Sequence, residues 1–266
     1  MKIGIIGLGV VGSACRYGFE KLGHEVLSHD IKLGTNITAV FSSEICYISV
    51  PTPSDEDGSC NVEIVNNVVH ELADIKYEGI VAIKSTVKPT TTDRLAEETK
   101  LKLCFVPEFL RERCAYSDFT ENHDVLAVGT HDNEVFDLIV RSHGTYPKHV
   151  VKVKPVEAEL IKYYSNVFNA LRVVFANEFY EICQATGADY NEIKNAFVHR
   201  KAADKQSNLY LDVNENFRGY GGACLPKDTA AMGAFVKELG LDMGLFDALE
   251  AENKKFKRTV IGNMRQ

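Results

Sequence analysis

The hexapeptide Gly7-Leu8-Gly9-Val10-Val11-Gly12 lies between an apolar run, Lys2 to Ile6, and a stretch with helical spacing that continues to Leu22. Strand, glycine turn, helix is the context in which a G-x-G-x-x-G pattern grips a pyrophosphate. Gly7 permits the tight turn, Gly9 lets the backbone approach the phosphates, Gly12 allows close helix packing, and the helix start at Val10 and Val11 supplies amide donors. Asp30 closes the second apolar strand, 18 residues beyond Gly12. A carboxylate there accepts both ribose hydroxyls of NAD and repels the extra phosphate of NADP. Lys32 stands close by and keeps NADP as an alternative. The plainer reading is a strand-turn-helix with a surface Asp and no nucleotide.

Short β-rich runs alternate with helical patterns through the first half. They are Lys2 to Ile6, a helix from Val10 to Leu22, Glu25 to His29, Ile45 to Val50, a helix around Val62 to Asp74, Gly79 to Lys84, and Leu103 to Val106. This predicts a parallel sheet with helices on its faces, an α/β Rossmann-type doubly wound fold. After Pro155 the pattern changes. Ile161, Tyr164, Phe168, Leu171, Phe175, Phe179 and Ile182 recur at spacings of three and four. One long amphipathic helix from Val156 to Thr186 follows, with Pro155 near its start and Gly187 past its end. Further helices are expected at about Asp189 to Ala203, Asp228 to Leu239 and Asp242 to Ile261. The expected division is a dinucleotide-binding domain over residues 1–150 and an all-helical domain over 151–266. The long helix carries more apolar surface than the helical half can cover, which predicts a homodimer burying Phe168, Phe175 and Phe179.

Composition narrows the function. Of 266 residues, 45% are hydrophobic and 25% charged, the profile of an ordinary globular protein. Thirty Lys and Arg against 37 Asp and Glu give a net charge of −7 with no basic block, which argues against nucleic acid as partner. Seven cysteines, scattered and never in a Cys-x-x-Cys pair, suggest neither a disulfide framework nor a metal site and fit a reducing cytoplasm. The start imitates a secretory signal, but glycines at 4, 7, 9 and 12 weaken any helical apolar region. No run elsewhere reaches the roughly 18 uncharged apolar residues of a membrane span, so no membrane association is expected.

A second glycine-rich segment, Phe217-Arg218-Gly219-Tyr220-Gly221-Gly222-Ala223-Cys224-Leu225-Pro226-Lys227-Asp228, delivers a cysteine to the mouth of a helix. Pro226 suits a first helical turn, and a helix terminus favours a thiolate, so Cys224 is placed to be a nucleophile with Lys227 and Asp228 in reach. The alternative is one more small buried hydrophobe, the reading kept for Cys15, Cys46, Cys60, Cys104, Cys114 and Cys183. Lys162 and Asn166 stand four apart on the long helix, hence on one face, where ammonium and amide can together stabilise an oxyanion. Spacing alone equally allows a polar stripe on a solvated helix.

These two segments, with Val50-Pro51-Thr52-Pro53, Lys84-Ser85-Thr86-Val87 and Val106-Pro107-Glu108-Phe109-Leu110-Arg111-Glu112, together resemble the UDP-glucose/GDP-mannose dehydrogenase family, in order from residue 1 to about 260. The resemblance implies a four-electron oxidation of a nucleotide sugar, of UDP-glucose type, at C6. NAD is used twice, and the product is a uronic acid for polysaccharide biosynthesis. By the same resemblance, Cys224 forms a thiohemiacetal and then a thioester that water hydrolyses. Lys162 and Asn166 match the family's catalytic lysine and asparagine, and Asp228 matches the carboxylate that works with a water and the lysine in proton transfer. Thr86 resembles the threonine that holds this water and touches the cofactor. Glu108 matches a glutamate that assists thioester hydrolysis, and Glu112 one that lines the nicotinamide side; without the resemblance both read as surface carboxylates. Thr52 sits in the loop where the cofactor would lie, although a Pro-Thr-Pro turn is equally a plain loop. Lys227 completes the cofactor-binding candidates.

Departures from the family pattern raise further expectations. Family members carry a third, C-terminal α/β domain that holds the nucleotide of the substrate, whereas this sequence stops at Gln266. It is expected to be a fragment, to borrow that wall from another subunit, or to take another substrate. The connection from Ile31 to Glu44 is short, and the family's Asp-x-Arg-Ile-Gly segment is replaced by Asp204-Lys205-Gln206-Ser207-Asn208, with Lys205 or Arg200 as substitute charges. Two other functions stay open: a two-domain NAD-dependent dehydrogenase of a smaller hydroxy compound, and an NAD-binding regulatory module without turnover.

Overall fold

The computed structural model describes residues 1–199, 213, 218–242 and 244–256. The chain divides into two compact units, Met1–Pro53 with Cys60–Lys162, and Ser54–Ser59 with Tyr163–Gln266.

The first unit is built on seven strands: β1 (Lys2–Ile6), β2 (Glu25–His29), β3 (Ile45–Ile48), β4 (Ile80–Ile83), β5 (Lys102–Phe105), β6 (Val125–Gly129) and β7 (His149–Val153). They lie in the order β2-β1-β3-β4-β5-β6-β7. All neighbours are parallel except β5 and β6, which meet antiparallel at Phe105 and Gly129. The central strands are apolar throughout because both faces are covered. Ile3, Ile5, Ile45, Tyr47, Ile80, Ala82 and Cys104 point to one face, packed by α1 (Val10–Lys21), α4 (Ala115–Thr120) and α5 (Asn133–His143). Ile6, Cys46, Ile48, Val81, Ile83, Leu103 and Phe105 point to the other, packed by α2 (Glu63–Asp74) and α3 (Thr91–Thr99). The doubly wound prediction is therefore met, with a mostly parallel sheet.

The structure differs from the sequence reading in the elements present and in the unit boundary, whereas the connection after Asp30 is short as expected. Strands β6 and β7 escaped that reading, as did α3, α4 and α5; β7 is a largely exposed edge strand, and α3 and α4 span only 9 and 6 residues. The connection after Asp30 keeps no α-helix; two 3-10 turns, Ile31–Leu33 and Ile37–Val40, span it, and Ile37 and Val40 are buried. The unit boundary falls at Lys162 rather than near residue 150. β7 pairs with β6, and Ala158, early in helix α6 (Pro155–Thr186), packs into the sheet's core.

The second unit contains α6 from Tyr163 onward, α7 (Tyr190–Val198), α8 (Leu225–Glu238), α9 (Leu245–Lys255) and the loop Ser54–Ser59. Gly58 on that loop approaches Ala230 of α8. Ala176, Cys183 and Tyr190 form one apolar cluster, and Ala170, Val174, Tyr220 and Leu249 another. Helix α8 starts at Leu225, earlier than expected, because Cys224 takes the N-cap position and Pro226 fits the first turn. The expected helix ends at Ala203 and Ile261 lie outside the described residues, as do Arg200 and the segment Asp204 to Asn208. Among the described residues no helix is long and apolar enough to cross a membrane.

Candidate active site

The candidates fall on both units, and each unit is built by itself. In the first, the sheet order reverses direction between β1 and β3, the switch point at which doubly wound sheets take their ligands. The loops leaving these strands are Gly7 to Gly9 and Val50 to Pro53. Gly7 has φ +89°, and a Cβ there would lie 2.6 Å from the Ser49 carbonyl oxygen, so only glycine fits. A Cβ on Gly12 would meet the Gly7 carbonyl oxygen. Gly9 caps α1 without offering a side-chain acceptor, and a Cβ built on it meets nothing within 4 Å. The start of α1 at Val10 and Val11 thus faces open space with orphan amides, the fit a pyrophosphate requires.

Asp30 is tied into the same turn. One carboxylate oxygen accepts the Leu8 amide at 2.7 Å and the other the Lys32 amide at 2.8 Å. These two amides hold its carboxyl below the usual range, so it is ionised at neutral pH, and each oxygen keeps a lone pair for a ribose hydroxyl. Lys32 thus supports the Asp30 carboxylate through its backbone amide and, more weakly, through its charge.

Further along the sheet, Glu108 and Lys162 meet in an arrangement the sequence did not foretell. Glu108 is buried, not a surface carboxylate. Its Oε2 lies 2.9 Å from Lys84 Nζ, with side-chain exposures of 9% and 1%, and its Oε1 accepts the Phe109 amide. Burial alone would raise the carboxyl, but Lys84 overrides it and holds Glu108 below the ordinary range. Burial likewise opposes the Lys84 charge, and Glu108 overrides it, leaving the ammonium above its usual value. Lys162 Nζ donates to the backbone carbonyl of Glu108. Lysines therefore hold Glu108 at both its side chain and its backbone. Thr86 is half-buried, its carbonyl accepting a bond from Cys60 Sγ at 3.4 Å. Thr52 is buried, and Glu112 is exposed on a 3-10 turn.

In the second unit, Cys224 is exposed at the start of α8. One turn on, Asp228 is buried and acts as a hub: Asn166 of α6 donates its amide to Oδ2, and Lys227 Nζ lies 2.8 Å from Oδ1. Asn166 is buried and does not belong to a solvated stripe. Lys227, a cofactor-binding candidate in the sequence, is ion-paired with Asp228. The set thus comprises an accessible thiol, a carboxylate held in place, and an ammonium and an amide on that carboxylate. Such a set can attack an electrophilic carbonyl and move protons beside it.

Sequence reasoning missed Lys84 in this role; its signal is a charge ending the continuous apolar run Ile80–Ile83. Asn177 and Asn253 were also missed. Both are buried, and both bond the backbone ahead of Cys224. Isolated asparagines in helices give no pattern to find.

Residues 31–143 match the NAD binding domain of the UDP-glucose/GDP-mannose dehydrogenase family, and residues 156–255 match the central domain of the same family. UDP-glucose 6-dehydrogenase YwqF of Bacillus subtilis is 28% identical, the match covering 87% of this chain and 61% of that one. GDP-mannose 6-dehydrogenase of Pseudomonas putida is 28% identical over 96% of this chain and 68% of that one. The solved UDP-glucose dehydrogenase of Pyrobaculum islandicum superposes with a TM-score of 0.85 at 28% identity, over 96% of this chain and 68% of that one. The chain thus spans about two thirds of the length of these relatives. With both family domains matched in order, the NAD binding domain and then the central domain, the chain belongs to the UDP-glucose/GDP-mannose dehydrogenase family.

Proposed function

We propose that this chain oxidises the C6 alcohol of a nucleotide sugar, of UDP-glucose type, to the uronic acid through a thioester on Cys224. The observation that carries this reading is the exposed Cys224 at the start of α8, one turn before a buried Asp228 fixed by Asn166 and Lys227. An enzyme that stopped at the aldehyde would need no nucleophile there. NAD, when bound, accepts one hydride in each of two oxidations.

The chain's own residues do the rest. Removing the C6 hydroxyl proton as hydride leaves gives the aldehyde, and Asp228 and Lys162 supply the proton relay. The Cys224 thiolate adds to the aldehyde carbon, forming a C–S bond, and protonation of the oxygen gives a thiohemiacetal. Loss of the second hydride, with the thiohemiacetal hydroxyl giving up its proton to the same relay, leaves the thioester. Water then adds, the C–S bond breaks, and acid and thiol are released, with Glu108 held ionised by Lys84 to assist. Asp30 and the glycine turn hold the cofactor, with Thr52, Thr86 and Glu112 beside it.

The exposed stripe Tyr164, Phe168, Leu171, Phe175, Phe179 and Ile182 on α6 supports a homodimer. The test incubates the purified chain with NAD and a panel of UDP- and GDP-sugars and follows NADH and acid. Two NADH per uronic acid is the expected stoichiometry. One NADH with aldehyde product would mark a simple alcohol dehydrogenase, and tight NAD binding without turnover a regulatory module.

A further inference from the structure

Three of the five residues ahead of Cys224 are glycines, Gly219, Gly221 and Gly222, and two of these have φ of +68° and +78°. Such a segment loses much conformational freedom on ordering and has little side chain to anchor it. A covalent nucleophile nevertheless has to be fixed to within about 0.5 Å. In the second unit, two buried carboxamides supply the anchor. Asn253 of α9 accepts the Tyr220 N–H at 2.7 Å on Oδ1 and donates Nδ2 to the Tyr220 carbonyl at 3.0 Å. One side chain thereby closes both backbone polar groups of Tyr220.

Asn177 of α6 grips the preceding peptide. Its Oδ1 accepts the Gly219 N–H at 3.1 Å and Arg218 Nε at 2.9 Å, while its Nδ2 donates to the Val173 carbonyl at 2.8 Å. The two asparagines are 4% and 1% exposed. A Cβ at Gly219 would stand 2.8 Å from Asn253 Oδ1, so glycine at 219 is what admits the carboxamide. The Tyr220 ring is buried with Val174 and Leu249, locking the same residue from its side chain.

We propose that Asn253 and Asn177 are positioning residues that set where Cys224 stands for attack, given that Cys224 is the nucleophile of the proposed reaction. Neither touches the reacting atoms; each acts through the Arg218 to Tyr220 backbone. The alternative is that they only stabilise the helical unit. Cys183→Ala serves as the control for stability, because Cys183 is buried in the unit's other apolar cluster.

The experiment measures kcat, KM and Tm for NADH release with UDP-glucose in Asn253→Ala, Asn177→Ala, the control and the parent. Positioning lowers kcat by about 10- to 100-fold in Asn253→Ala, with KM within about threefold and a Tm loss no larger than the control's. Unchanged kcat, or a kcat loss equal to the control's, overturns the proposal. Should Asn253→Ala not fold, Asn253→Ser is judged by the same criteria, and Asn177→Ala after it. If the parent itself turns over no sugar, the proposed reaction fails, and iodoacetamide labelling of Cys224 decides positioning alone. A change of at least about fivefold in rate in Asn253→Ala, absent from the control, supports it; equal rates overturn it.

Discussion

Lys84 Nζ and Glu108 Oε2 stand 2.9 Å apart in the interior of the sheet unit, each charge sustained by the other against burial. Removing one partner leaves an uncompensated buried charge. Lys84→Met should therefore destabilise the protein by about 3–5 kcal/mol, and the double variant Lys84→Met/Glu108→Leu should recover most of that. The sign with pH follows from the lowered Glu108 pKa. The pair's contribution is present above the ordinary carboxylate range and is lost as pH falls through the lowered folded value. In Lys84→Met, burial acts unopposed, so the variant tolerates acid better, and the gap to the parent narrows as pH drops towards 4. Denaturant unfolding at two pH values measures it; a gap that widens in acid is incompatible with the ion pair.

Glu159 presents the opposite case. It is buried, and its carboxylate accepts the Thr90 and Thr92 amides and the Thr92 hydroxyl at 2.6–2.8 Å, capping α3 from α6. Burial raises its pKa, and the three bonds only partly offset this. Its contribution is therefore full below the ordinary glutamate value and is lost as pH rises through the raised folded value. Glu159→Gln removes the titration and keeps an acceptor, so it should gain on the parent between pH 4 and pH 7 in a thermal unfolding series. Glu159→Ala should cost about 2 kcal/mol or more at any pH. A Glu159→Gln difference that stays flat with pH contradicts the raised pKa.

At Asp30, each carboxylate oxygen already serves a backbone amide while remaining open to a ribose hydroxyl. Asp30→Ala should weaken NAD binding by about 2–4 kcal/mol and narrow the difference between NAD and NADP. Fluorescence titration of both cofactors tests this. Equal affinity for NAD and NADP in the unmutated protein rules out the assignment.

What could be read from the sequence follows how local each signal was. The strand-turn-helix at Gly7 to Gly12 and the cysteine at the mouth of α8 are specified within a dozen residues, and the structure places both as expected. The burial of Glu108 could not be read from the residues alone because its partner, Lys84, is remote in sequence and adjacent only through the β4–β5 pairing. The pairing of Lys227 with the neighbouring Asp228 was not readable, because it depends on side-chain direction, which spacing does not reveal. β7 was lost because an exposed edge strand, His149–Val153, carries no buried face.

Helix α6 exposes an aromatic stripe in which the Phe175 and Phe179 rings lie 4.7 Å apart between centroids, tilted by 39°, and Phe175 is 54% exposed. A contiguous apolar surface of this kind marks an interface. Light scattering at micromolar protein should report a dimer, and Phe175→Glu should shift it to monomer while the sheet unit keeps its unfolding transition. A monomeric parent removes the dimer from consideration.

Cys224 separates thioester chemistry from simple alcohol oxidation, and accessibility sets it apart from the chain's other cysteines. Cys15, Cys46, Cys60, Cys104 and Cys183 are buried and Cys114 is half-buried; burial pushes the Cys15 and Cys104 thiols up to about 12. Iodoacetamide at neutral pH should accordingly modify Cys224 first, as peptide mapping would show. Cys224→Ser should stop release of the acid, because a serine without an adjacent base is a poor nucleophile and its ester a poor acyl donor. The substitution is near-isosteric and exposed, so stability should change by less than about 0.5 kcal/mol, and the unfolding midpoint serves as the control. Product analysis of the variant then decides: uronic acid formed at the parent's rate, with the fold intact, would exclude Cys224 as the nucleophile and with it the thioester.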